Sequence, residues 1–309
     1  MIKLSELILE ATNRPKAVIM AGGAGAGKSY LLNQLDLGSL PLINPDKYVE
    51  DPQHPAYNNL SQGTRLADQE AENLSTDKSS FIWDTTASNP KKVKDLVNKG
   101  YDVYMVMVYT HPMIAYINNF DRKRNVPSSA VFSTWRNVYQ LITDYNRMLK
   151  GNLSIFVNTR GGKYDKEIEE FNTAAKNGAA GISDYLEKYN EKAGVGASSF
   201  RSPVEMSKQE EDEFYNAVKN VDYDTSSYGE ERTLKKYFVD WYRKNGTGPG
   251  DDKMKKKLDT YRRSSEKRAE DAKNVLDNIS EMLFNPIFQE KLKHSTAPEI
   301  DQKVQNFLA

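Results

Sequence analysis

Residues 22–29 read Gly-Gly-Ala-Gly-Ala-Gly-Lys-Ser, and no other stretch constrains this chain as tightly. The apolar run Ala17-Val18-Ile19-Met20-Ala21 leads directly into them, and a helical repeat of Leu31, Leu32 and Leu35 leads directly out. Strand, glycine-rich bend, helix is the order that aims backbone N–H groups and a helix N-terminus at one anion. Gly22, Gly23, Gly25 and Gly27 can take positive φ and bring the backbone close to phosphate oxygens, with Ala24 and Ala26 completing the loop. Lys28 reaches the terminal phosphates, Ser29 offers Mg²⁺ a hard oxygen, and Tyr30 follows in the first helical turn. The reading is a cradle for a nucleotide triphosphate and Mg²⁺. The rival reading, a glycine-rich turn that fits by accident, is disfavoured by the flanking strand and helix taken together.

The pattern around this loop alternates. Continuous apolar runs occur at Ala17–Met20, Pro41–Ile43, Phe81–Trp83, Val103–Tyr109 and Leu153–Val157. Runs of that kind suit strands buried on both faces, as in a parallel sheet covered by helices. The segments between them predict helices at 28–36, 60–75, 90–99, 112–122 and 129–149, three with start signals: Asn89-Pro90, His111-Pro112 and Ser128-Ser129. The fold class expected is α/β: a parallel sheet with helices on both faces over residues 1–163, then a mainly helical region over 164–309. In the second region the periodicity predicts helices at 165–176, 181–192, 207–219, 230–244, 252–284 and 298–307. Leu4, Leu7 and Ile8 predict a short amphipathic helix at the start.

Composition narrows the chemistry. Of 309 residues, 43 are basic, 43 acidic, three His and none Cys. The missing cysteines exclude a disulfide framework, a thiolate zinc site and a cysteine nucleophile. Balanced charge removes any whole-molecule argument for nucleic acid or anionic membrane, and no apolar run approaches the ~18 residues of a membrane span. A cytoplasmic location is expected. The stretch 251–270 holds eight basic and five interleaved acidic residues, which suits a salt-bridged solvated helix better than a nucleic-acid surface. Tyr237, Phe238, Trp241 and Tyr242 read as one helix's core face rather than a base-stacking platform.

Further candidates follow the strand ends, where ligands bind in such sheets. Asp46, in Ile43-Asn44-Pro45-Asp46, is placed to take a proton from an attacking hydroxyl, or else caps a turn. Asp84, at the end of Phe81-Ile82-Trp83-Asp84, is placed to hold Mg²⁺ or orient substrate, with Thr86 beside it; the plain alternative is again a cap. Thr85 stands where a hydrolysing motor often has a second carboxylate, which favours transfer to a hydroxyl over hydrolysis. Asp121-Arg122-Lys123-Arg124-Asn125-Val126-Pro127, followed by Arg136, suits a cationic lid that neutralises charge on a transferring phosphoryl group. The rival is a solvated charge cluster.

These pieces, in this order, resemble the zeta toxin family of P-loop kinases. The resemblance rests on the 22–29 loop, Ile43-x-x-Asp46, His54-Pro55-Ala56-Tyr57, Asp84-x-Thr86 and the stretch 122–131, which is also similar to the lid of phage-type polynucleotide 5′-kinases. It covers roughly residues 15–160. It implies a five-stranded parallel sheet with the cradle strand in the middle, Lys28 and Ser29 holding ATP and Mg²⁺, and Asp46 as catalytic base. Two of Arg122, Arg124 and Arg136 would act as lid arginines. Asn158 and Arg160 would line the adenine pocket. Asp84-Thr85-Thr86 stands where zeta toxins usually have Glu-Gly-Thr, so their amino-sugar nucleotide acceptor does not carry over directly. By association, a cysteine-free kinase with this lid fits a phage-encoded origin.

The function expected is transfer of the γ-phosphate of ATP to a hydroxyl on a nucleic-acid 5′ end, a nucleotide sugar or another small molecule. The alternative is an ATP-binding or ATPase module used for assembly without phosphoryl transfer. A protein partner would engage the C-terminal half.

Overall fold

The computed structural model describes residues 14–57, 59–120, 126–194 and 252–309, with backbone alone for 252–266 and 268. The helices expected at the start, at 207–219 and at 230–244, the Tyr237–Tyr242 cluster, Arg122 and Arg124 lie outside the described residues.

Five strands, β1 (Lys16–Ala21), β2 (Leu42–Ile43), β3 (Phe81–Asp84), β4 (Asp102–Tyr109) and β5 (Leu153–Val157), form one parallel sheet in the order β2-β3-β1-β4-β5. The strand that feeds the glycine loop is therefore central. The last five residues of β1 and the last seven of β4 are buried. Continuous burial is what continuous apolar runs require when both faces are covered.

Helices α1 (Lys28–Leu32), α2 (Asp46–Val49), α3 (Leu60–Thr76), α4 (Pro90–Asn98), α5 (Pro112–Phe120), α6 (Ser128–Tyr139) and α7 (Ile142–Met148) fill the connections. Asn89 caps α4 by accepting from Lys91 N–H, with Pro90 as its first residue. The Nδ1 of His111 accepts from Met113 N–H at 3.2 Å and so starts α5. All of α5 but its last residue is buried. The single helix expected at 129–149 is two, α6 and α7. The break at Gln140–Leu141 follows buried Tyr139 and precedes buried Tyr145, whose hydroxyls bond the carbonyls of two different segments: Tyr139 to Val108 and Tyr145 to Ala87, both at 2.6 Å. Burial pushes the phenols of Tyr139 and Tyr145 up, so both remain neutral donors.

Later helices are α8 (Asp165–Ala175), α9 (Gly178–Ala193), α10 (Asp252–Phe284), α11 (Pro286–Lys291) and α12 (Ala297–Leu308). Residues 1–199 and 274–309 group into one compact unit and 200–273 into another. In the first unit, α12 packs into the core. Its Ile300 and Val304 are fully buried against Val18, Met20, Leu31, Leu35 and Val106. Burying two such side chains contributes about 3–5 kcal/mol. Lys16 Nζ donates to Leu308 O at 2.8 Å, and Asp36 N–H donates to Asp301 Oδ1 at 2.8 Å. In the second unit the described residues are the α10 backbone from 252 to 273. No described helix is long and apolar enough to cross a membrane.

Candidate active site

A cleft of about 610 Å³ opens at the C-terminal ends of the strands. Residues 24–29 line one wall. Gly25 and Gly27 have φ of +75° and +92°, values a side chain rarely adopts. A methyl group at Gly25 would meet Ala115 O of α5 at 2.2 Å, so the loop's approach to α5 requires glycine there. Gly23 packs on the backbone of Trp135. The N–H of Ala24 donates to Thr134 Oγ1 at 3.3 Å, and the N–H of Gly22 donates to Thr86 O at 3.4 Å. The bend is therefore tied to α6 and to the end of β3.

Lys28 is held between two acceptors. Its Nζ donates to Gly22 O at 3.2 Å and lies 3.7 Å from Asp84 Oδ1. Asp84 is buried, and its Oδ2 accepts from Asn44 Nδ2 at 3.3 Å. Asn44 Oδ1 in turn accepts the N–H of Asp46 at 2.8 Å. Lys28, Asp84, Asn44 and Asp46, drawn from three separate strand ends, thus form one connected row. Asp46 is the first residue of α2, a helix the sequence reading missed, and faces the same cleft as Lys28, Ser29 and Asp84.

The opposite wall comprises Thr64 of α3, Thr85, Thr86, Ser88 and Lys92. Thr86 Oγ1 and Ser88 Oγ are 3.1 Å apart. Lys92 is paired with Asp68 and lies 5.5 Å above the Trp83 ring. Asn118, Val126, Ala130, Thr134 and Arg160 complete the lining. The cleft thus brings together Ala24 to Ser29, Asp46, Asp84, Thr86 and Arg160. It does not gather all the residues expected there. Tyr30 is 53% exposed, and the described residues lining the cleft do not include it, Gly22 or Gly23. Arg136 bonds its neighbour Asn137 through Nε and Nη2 at 3.1 and 2.8 Å and is also not among them. Asn158 is buried beneath the loop, with Nδ2 donating to Ala26 O at 3.0 Å. Asn118, Thr134, Ser88 and Thr64 were missed by the sequence reading.

A second groove, of about 670 Å³, lies on α8 and α9 and is lined mainly by lysines and glutamates. None of the motif residues reaches it, so the strand-end cleft is the candidate site. Among the described residues no group of three or more His, Asp or Glu comes together as a metal cage. A cation here would be held as in phosphate-loop sites, by one hydroxyl, a carboxylate and the nucleotide.

Residues 3–144 match the model of the family described as Zeta toxin. This part of the chain is zeta toxin-like. Toxin PezT of Streptococcus pneumoniae serotype 4 is 28% identical over 133 residues, which is 37% of this chain and 52% of that protein. The chain therefore spans about half the length of the curated relative it matches. The solved structure of the PezAT toxin–antitoxin system of Streptococcus pneumoniae is 21% identical, with a TM-score of 0.35 over 52% of this chain and 80% of that one. The AvrRxo1-ORF1:-ORF2 complex with ATP is 14% identical, with a TM-score of 0.39 over 50% of this chain and 62% of that one. The zeta toxin-like region ends just before β5, so β5, Asn158 and Arg160 lie beyond the matched segment.

Proposed function

We propose that the chain is an ATP-dependent phosphotransferase that moves the γ-phosphate of ATP to a hydroxyl acceptor. The observation that carries this reading is the convergence of Lys28, Ser29, Asp46 and Asp84 on one cleft. The residues present suit ATP: Gly25 and Gly27 hold left-handed backbone that a phosphate cradle uses, and the small loop residues leave the cleft open beside Lys28. Ser29 and Asp84 would hold Mg²⁺, the loop N–H groups and Lys28 the phosphates. Bound Mg·ATP supplies the phosphoryl group. Asp46 accepts the proton of the acceptor hydroxyl, a contribution typically worth 10²–10⁴-fold. Lys28 offsets charge that develops on the transferring group, and Asp84 keeps its ammonium in place. Arg160 lines the cleft and is a further cation for the nucleotide; the two lid arginines are proposed to come from Arg122, Arg124 and Arg136, the last of which would have to leave Asn137 to reach the phosphates.

The acceptor end is lined by hydroxyls and one lysine, which suits a polar acceptor: a nucleic-acid 5′ end, a nucleotide sugar or another small molecule. A protein partner bound through the C-terminal half is proposed as well, to be sought by co-purification. The reading is tested by incubating the protein with γ-labelled ATP and, separately, cell extract, a 5′-hydroxyl oligonucleotide and nucleotide sugars, then identifying the labelled species. Label in an acceptor is expected. Tight ATP binding with no label transferred to any of them would replace the kinase with an ATP-binding module.

A further inference from the structure

Beneath the proposed phosphate loop, Asn118 and Asn158, to which the reaction proposed above gives no role, form a bracket with Arg160. Asn118, in the last turn of α5, donates from Nδ2 to Gly25 O at 2.8 Å. Asn158, just after β5, donates from Nδ2 to Ala26 O at 3.0 Å. Arg160 joins the two. Its Nε donates to Asn118 Oδ1 at 3.2 Å, and its backbone N–H donates to Asn158 Oδ1 at 3.2 Å. The circuit Gly25–Asn118–Arg160–Asn158–Ala26 is closed. Asn118 and Asn158 are 7% and 4% exposed, whereas Arg160 is exposed and lines the cleft alongside Asn118.

This bracket leaves little slack. A methyl group at Gly27 would meet Asn158 Nδ2 at 2.3 Å, as one at Gly25 would meet α5. Arg160 has φ of +54° and is followed by Gly161 at +63° and Gly162 at +79°. Left-handed backbone costs a residue with a side chain about 1–2 kcal/mol, so the hydrogen bonds hold Arg160 where the chain alone would not. The C=O and N–H of a trans peptide point in opposite directions. Anchoring Ala26 O on Asn158 therefore turns the Gly27 N–H away from Asn158. Drawing two successive loop carbonyls onto amide donors keeps their negative ends off an incoming anion. A buried amide that met only half its partners would be costly, and Asn118 meets both through the loop and Arg160.

We propose that Asn118 is a positioning residue for the nucleotide: through Gly25 O it presets the phosphate loop, and through Arg160 it aims a guanidinium at the same triphosphate ligand. The inference rests on the reading of the cleft as an ATP site. It places a link between α5 and the loop after β5, two elements separated by about forty residues of chain, under the control of one side chain.

A double-mutant cycle tests it. Dissociation constants for Mg·ATP are measured by calorimetry on the wild type, Asn118→Ala, Arg160→Ala and the double variant. Each single change is expected to weaken binding about tenfold, the usual range for a hydrogen bond to a charged group. The double variant is expected to lose far less than the hundredfold product, because both changes break one circuit. A purely structural asparagine would give independent effects, so a product of the two single losses overturns the inference, as does wild-type affinity in Asn118→Ala. Asn118→Leu keeps roughly the volume and adds no charge but neither donates to Gly25 O nor accepts from Arg160. It gives the same answer should the alanine variant not fold: weakened binding supports the role, and unchanged binding overturns it. A wild type that binds no Mg·ATP sinks the phosphotransferase reading itself, which separates the two failures.

Discussion

At the end of the cleft proposed for the nucleotide, six consecutive residues (24–29) form the wall, and the loop is bonded to α5, α6, the segment after β3 and the segment after β5. At the end proposed for the acceptor, Asp46, Thr64, Thr86 with Ser88, and Lys92 come from different segments and present side chains rather than a run of backbone. Nearby, the strained Ala87, with φ of +52°, is held by the hydroxyl of Tyr145 on its carbonyl and by Thr85 Oγ1 on its N–H. A triphosphate presents the same oxygens in every reaction, so its cradle can be a fixed run of backbone donors. An acceptor is recognised by side chains, which can change without disturbing the loop. Asp46 reaches Lys28 through Asn44 and Asp84, so a substitution at one end that preserves this row should leave the other end intact.

The largest expected effect breaks the two ends apart. Asp46→Asn keeps the shape of the side chain but no longer accepts a proton. Label transfer from γ-labelled ATP is expected to fall about 10²–10⁴-fold, while the Mg·ATP dissociation constant stays within about twofold. Equal losses in both would mean that Asp46 belongs to the nucleotide end.

Gly25→Ala strikes the other end. The added methyl meets Ala115 O, and the residue must keep φ near +75°. A loss of about 2–4 kcal/mol in unfolding free energy is expected, read from the denaturant midpoint, together with weakened ATP binding. A variant as stable as the wild type would show that the loop can move away from α5.

A pH test sharpens the account of α5, whose far end carries Asn118. Burial holds the His111 imidazole down from 6.5 to about 4, against the partial compensation of its bond to Asn172. As pH falls, the unfolded chain takes up this proton before the native state does. Stability is therefore fully present above about pH 6.5 and is lost progressively down to about pH 4, with no further loss from this group below that. The whole change amounts to roughly 3 kcal/mol. His111→Asn keeps an acceptor for the Met113 N–H and should lack this component when wild type and variant are compared by denaturant midpoint at each pH. Parallel pH curves for the two proteins would contradict the assignment.

Much of this cleft was legible in the sequence because its chemistry lies in contiguous residues. The five apolar runs became the five strands, and the motif at 22–29 became the loop after the central one. The missed parts are tertiary. Asn118 and Thr134 have no neighbours in sequence that mark them, since their partners Gly25, Arg160 and Ala24 come from other segments. One signal did exist: Asn118-Asn119 directly follows Pro112-Met113-Ile114-Ala115-Tyr116-Ile117, a run apolar enough to be buried all round. Buried amides in such a helix must find partners, and Asn119 finds Val126 through both its oxygen and its nitrogen. The placement of α12 was equally hidden. Its helical period was evident, but nothing local indicated that Ile300 and Val304 would pack behind β1 and α1.

The central claim is that the loop at 22–29 holds a triphosphate through Lys28. The direct measurement is a melting curve with and without Mg·ATP for the wild type and for Lys28→Ala. At a hundredfold excess over its dissociation constant, a ligand bound only to the native state adds about 2.7 kcal/mol. A clear rise in Tm is predicted for the wild type and little or none for Lys28→Ala at the same concentration. No rise in the wild type, or an equal rise in both, would contradict the account.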